Sequence, residues 1–121
     1  MFRFEKLDVW QNAVDFAGSV YDASRPFPPD ERFGLTSQMR RAAVSISSNV
    51  AEGSSRASDA DFSRFIEIAY GSLMEVVSQA HVAKQQHFLA QSAFEPFYQQ
   101  SERLARMLSG LRSSLIPRGK S

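Results

Sequence analysis

No cysteine occurs among the 121 residues. That removes disulfides, thiolate nucleophiles and thiolate metal ligands together, and it suits a reducing compartment. Histidine is nearly as scarce, with only His81 and His87. A di-iron bundle site needs two Glu-x-x-His pairs and two further Glu residues on facing helices. Neither histidine follows a Glu at that spacing, and six residues apart they cannot share a metal in the i, i+4 manner. His87 therefore reads as a capping or packing residue. There is no glycine-rich phosphate loop and no Ser-His-Asp set. No apolar run approaches the roughly 20 residues of a membrane helix, and the charged opening MFRFEKLDVWQ lacks the core of a signal peptide. These absences lead to the expectation of a cytoplasmic, non-enzymatic protein without cofactor or metal. The net charge of +1 gives no bulk reason to bind nucleic acid, and no membrane partner is expected.

What is present is helical periodicity. A first helix is expected over Leu7 to Ser24, with Trp10, Ala13, Val14, Ala17, Val20 and Tyr21 on one face. Pro26, Pro28 and Pro29 end it, and Asp30 and Glu31 place negative charge at the start of a second helix. That helix ends at Gly53, read as a C-terminal cap. Ser58 is a good N-cap for a third helix, with Asp59 and Asp61 in its first turn. Its stripe is Phe62, Phe65, Ile66, Ala69, Leu73, Val76, Val77 and Ala80, and it runs to about His87. Ser92 with Glu95 resembles a capping box opening a fourth helix, with Pro96 in its first turn. Phe94, Phe97, Ser101, Leu104, Leu108, Leu111 and Leu115 repeat as a heptad seam. No strand-like alternation competes. Short connections favour antiparallel neighbours, so the expected fold is all-α, an antiparallel up-down-up-down four-helix bundle. It occupies residues 1–116 as one domain, followed by a loose tail over 117–121.

The second helix, LTSQMRRAAVSISSNVAEG, carries the most information. At about 100° per residue, Leu35, Met39, Ala42, Ile46, Val50 and Gly53 form a narrow apolar stripe. Gln38, Arg41, Ser45, Asn49 and Glu52 line one flank. The far side holds Val44, Ser47 and Ala51, where an ordinary surface helix would place Lys and Glu. Such a helix is suited to packing from more than one direction. On the third helix Ile68, Met74 and Val82 fall off the core stripe, and Gly71 sits mid-helix, where Gly costs about 1 kcal/mol against Ala. Val44, Ser47, Ala51, Ile68 and Gly71 are thus candidates for an oligomer interface. Glu52 and Glu75 could be paired carboxylates. With Arg41, Ser45 and Asn49 close by, a structural polar network is the preferred reading, since buried polar groups need partners.

Charge is unevenly spread. From Arg103 onward come five basic residues (Arg103, Arg106, Arg112, Arg118 and Lys120) and no acidic one. They complement a helix C-terminus or face phosphate. Arginine outnumbers lysine eleven to three, which suits bidentate phosphate contacts. Arg40, Arg103, Arg106 and Arg112 are the nucleic-acid-binding candidates.

The run Ser45-Ile46-x-x-Asn49-Val50-Ala51-Glu52-Gly53, preceded by Leu35-Thr36-Ser37-Gln38-x-Arg40-Arg41-Ala42, resembles the signature of the four-helix-bundle proteins encoded in 23S ribosomal RNA intervening sequences. The accessory variability proteins of diversity-generating retroelements belong to the same group. Phe4-x-x-Leu7-x-Val9-Trp10-Gln11-x-Ala13 and Phe62-x-x-Phe65-Ile66-x-Ile68-Ala69-x-Gly71-Ser72-Leu73-x-Glu75 add to the likeness. The resemblance implies a small bacterial cytoplasmic protein that forms a ring-like homopentamer. For the retroelement members it implies binding to nucleic acid and to a reverse transcriptase. The resulting expectation is a self-associating adaptor with weak RNA or DNA binding. Its rivals are a purely structural or protein-partner scaffold without nucleic-acid contact, and an enzyme or metal protein using Glu52 and Glu75.

Overall fold

The computed structural model describes residues 1–116; the tail expected over 117–121 lies outside them. Four helices follow a short 3-10 turn at Arg3–Lys6: α1 (Asp8–Ser24), α2 (Leu35–Ser54), α3 (Asp59–Gln85) and α4 (Gln91–Leu115). A second 3-10 turn at Pro29–Glu31 joins α1 to α2. Among the described residues α1 packs on α2, α2 on α3, α3 on α4 and α4 on α1, while the backbones of the diagonal pairs stay apart. This is the up-down-up-down bundle that short loops between amphipathic helices dictate.

Burial follows the stripes on three helices. Met39, Ala42, Ile46, Val50 and Gly53 are buried on α2, with Leu35 half-buried. The α3 stripe is buried apart from half-buried Val77, and the α4 seam apart from half-buried Leu111. Buried Ser101 donates to the Phe97 carbonyl at 2.9 Å, so its hydroxyl is satisfied inside the helix. Helix α1 departs from expectation. Its buried side is Val9, Ala13, Phe16, Val20 and Ser24, whereas Val14 and Tyr21 are exposed. Two apolar arcs overlap on this helix, and Phe16 decides between them by stacking on Phe97 at 5.1 Å.

The helix ends differ from their sequence signals in two places. Gly53 is not a C-cap, because α2 runs through it to Ser54. A Cβ there would lie 2.7 Å from Phe65 Cβ and 2.9 Å from Phe62 Cδ1, so glycine lets α3 approach. Nor do Ser92 and Glu95 form a capping box: α4 starts earlier, from an Ala90 N-cap without a side-chain bond, which puts Pro96 inside the helix. The donor missing at Pro96 leaves the carbonyl of exposed Ser92 to solvent. Ser58 does cap α3, its Oγ accepting from Asp61 N at 3.1 Å. His87 adopts φ 64°. With Phe88 N donating to Ala83 O at 2.8 Å and His87 N to Lys84 O at 3.1 Å, it closes α3 in a Schellman motif.

Candidate functional site

The four candidate arginines do not share a surface. Arg40 turns towards α1, where Nε donates to Ser24 Oγ at 2.9 Å and the guanidinium lies 4.6 Å from the Tyr21 ring centroid. Arg103, Arg106 and Arg112 are on α4, the helix diagonal to α2. Arg112 pairs with Glu67 of α3 at 2.7 Å, which spends its charge on a neighbour. Arg103 and Arg106 are exposed and make no ion pair among the described residues. The acid-free C-terminal stretch is therefore two solvent-facing cations beside a neutralised one.

The polar network also divides. Ser45 Oγ reaches Ser72 Oγ of α3 at 2.6 Å, and Asn49 Nδ2 donates to Ser45 O at 2.7 Å. These two residues lie in the α2–α3 seam. Arg41, Glu52 and Glu75 are exposed instead. Glu52 pairs with Arg56, just past the end of α2, at 2.9 Å, and Glu75 meets neither it nor Arg41. The expectation of one network is corrected for the single subunit: apolar side chains such as Phe62 and Phe65 fill the contact of α3 with α2 at Gly53, and the charged residues Arg41, Glu52 and Glu75 project into solvent. The paired-carboxylate alternative has no geometric basis in the subunit. Nor do the two histidines join a metal site: no group of three or more potential ligands occurs among the described residues. His81 lies within α3, edge-on to Phe94 at 4.9 Å, whereas His87 lies past the end of that helix.

Of the interface candidates, Val44 (42%) and Ile68 (44%) are exposed, as are Met74 (41%) and Val82 (47%). Gly71 is exposed, and a Cβ there would have nothing within 4 Å. Ser47 and Ala51 are half-buried. Gly71 lines a groove of about 330 Å³ between α3 and α4 with Glu67, Tyr70, Leu108 and Arg112. Val44 lines a different one.

That second groove, about 670 Å³, runs along the outer face of α2. Its wall includes Tyr21, Arg32, Phe33, Arg40, Arg41 and Val44, and no acidic side chain lines it. The guanidinium of Arg32 lies 5.2 Å from the Phe33 ring centroid. Sequence reasoning singled out Arg40 and Arg41 but missed Arg32, Phe33 and the outward turn of Tyr21. The adjacent Arg32-Phe33 pair before a helix was the available signal. What unites it with Tyr21 is the packing of α1 on α2.

The sequence pattern described as 23S rRNA-intervening sequence protein matches residues 5–110, which is most of the chain. The chain belongs to the 23S rRNA-intervening sequence protein family. The matched stretch of this family member contains Arg103 and Arg106 and ends before Arg112. A solved structure of similar fold is the crystal structure of a protein with unknown function from the S23 ribosomal protein family of Bacteroides thetaiotaomicron VPI-5482. It is 20% identical with a TM-score of 0.76, and the alignment covers 86% of this family member and 97% of that chain. At that identity the likeness shows the bundle fold alone. No curated protein matches.

Proposed function

We propose that this 23S rRNA-intervening sequence protein is a cytoplasmic, non-enzymatic adaptor that self-associates into a closed ring, a homopentamer, and holds RNA or DNA weakly through repeated arginines. The observation that carries self-association is that Ile68, Met74 and Val82 on α3 are each more than two-fifths exposed. Apolar side chains left in water to that extent favour burial against another molecule. The number five and a reverse-transcriptase partner come from the resemblance to the retroelement accessory proteins. Arg103 and Arg106, repeated around a ring, give several weak phosphate contacts at once, and such avidity exceeds single-site affinity by roughly 10²–10⁴. No turnover is assigned to Glu52 or Glu75.

Light scattering at micromolar concentration tests the assembly. A pentamer is expected, and Gly71→Arg should reduce it to helical monomers; a monomeric unmodified protein overturns the reading. A gel shift against structured RNA and DNA tests the second part, with binding that falls steeply as salt rises because phosphate contacts release counterions. The second reading, a scaffold without nucleic-acid contact, is favoured by the Arg112–Glu67 pair and the near-neutral charge. It takes over if neither nucleic acid binds at about 50 mM salt.

A further inference from the structure

We infer that the groove along the outer face of α2 is a binding site for single-stranded nucleic acid, with Phe33 as the stacking platform and Arg32, Arg40 and Arg41 as the phosphate-facing side chains. This rests on the nucleic-acid reading above but moves its centre from α4 to the α1–α2 side of the bundle.

Three features of the groove favour such a ligand. First, its charge is of one sign: three arginines and no carboxylate line it. The groove between α3 and α4 that Arg106 lines also contains Glu102. Second, two of its three guanidinium groups are held in place. Arg40 is anchored by Ser24 and lies over the Tyr21 ring, and Arg32 lies over Phe33. Arg41 makes no hydrogen bond or ion pair among the described residues. Guanidinium groups held against aromatic rings present donors to phosphate with little further ordering. Third, Phe33 is 87% exposed, and no packing role in the subunit accounts for a phenyl ring held in water. Proteins that bind single strands combine a cationic groove with aromatic faces on which bases stack. A duplex keeps its bases inside and gains nothing from such a ring.

The shape agrees. From Thr36 to Ser48 the groove follows α2 for roughly 18 Å at the usual helical rise, enough for a few nucleotides. It is an open trough, so a strand can enter and leave along its length. The hydroxyls of Thr36, Ser37 and Ser48 line it and make no side-chain hydrogen bond among the described residues. They remain available to sugar and phosphate oxygens.

Fluorescence anisotropy tests the site with labelled mixed-sequence RNA and DNA strands of about 12 nucleotides, a length typical of such sites, and with the matching duplexes. Phe33→Ala and Arg41→Glu alter exposed side chains, and circular dichroism and light scattering check that fold and assembly persist. Each should weaken single-strand binding at least tenfold and leave duplex binding unchanged. The double variant Arg103→Glu/Arg106→Glu should do the reverse. Single-strand binding that survives both groove variants overturns the inference. Duplex binding without any single-strand binding overturns it while sparing the wider nucleic-acid reading; failure of both probes removes the two together. If the groove variants lose the assembly along with the strand, a second copy of the chain covers this face and the inference falls. Displacement of the strand by micromolar adenosine monophosphate would reassign the groove to a free nucleotide and likewise overturn it.

Discussion

Gly53 and Gly71 lie on helices packed against each other, yet their surroundings are opposite. A Cβ on Gly53 would meet Phe65 Cβ at 2.7 Å, whereas one on Gly71 would meet nothing within 4 Å. The first marks the inner seam of α2 and α3, closed tightly enough that a hydrogen atom is the only side chain that fits. The second lies on the solvent side of α3, bordering the groove with α4, on a helix where Ile68, Met74 and Val82 also stand in water. A mid-helix glycine thus signals close approach at one position, and at the other leaves a surface that the subunit does not use.

Substitutions on the two sides should separate this contrast. The largest effect is expected from Leu73→Ala, which empties a fully buried site in the seam. It should cost about 2–5 kcal/mol in chemical denaturation, the usual range for such cavities. Gly53→Ala should follow, with a loss of about 1–3 kcal/mol, because the obstructing Phe65 atom is next to the backbone and cannot swing away. A neutral or stabilising result would mean that α3 can shift outward and that the seam is loose. Gly71→Ala should raise subunit stability by up to about 1 kcal/mol through helix propensity alone. A loss of pentamer in the same variant, read by light scattering, would instead show that another subunit approaches Gly71 closely. The smallest change is expected from Glu52→Gln. Its partner Arg56 and Glu52 itself have side chains 40% and 56% exposed, and such pairs contribute about 0–1 kcal/mol. A large drop in melting temperature would show that assembly buries Glu52 and restores the network that the subunit lacks.

Most of the bundle was legible in the residues. The α3 and α4 stripes are long, regular and nearly all buried, since a period of three and four leaves an amphipathic helix one way to face a core. The Ser58 cap was equally local, needing only a hydroxyl within reach of Asp61 N. The reading failed where two local signals competed. On α1 the arc through Val14 and Tyr21 looked as apolar as the one through Phe16, and only Phe97 on another helix distinguishes them. At Gly53, the C-cap signal and the close-packing signal are the same residue.

The functional surfaces were less legible, and the arginines show why. Arg103, Arg106 and Arg112 follow one another in an acid-free stretch, but a sequence window does not contain Glu67, which pairs with Arg112 from another helix. Conversely, Tyr21 stands apart in the chain from the Arg32-Phe33 pair, yet both gather beside Arg40 and Arg41. By itself, the sequence determined the helices, their buried faces on α2, α3 and α4, and the family. Those follow from periodicity and short-range hydrogen bonding, which act within a few residues. Tertiary structure alone decided which face of α1 is buried, which charges meet and which arginines share a groove, because contacts between side chains on different helices depend on how those helices are rotated against one another.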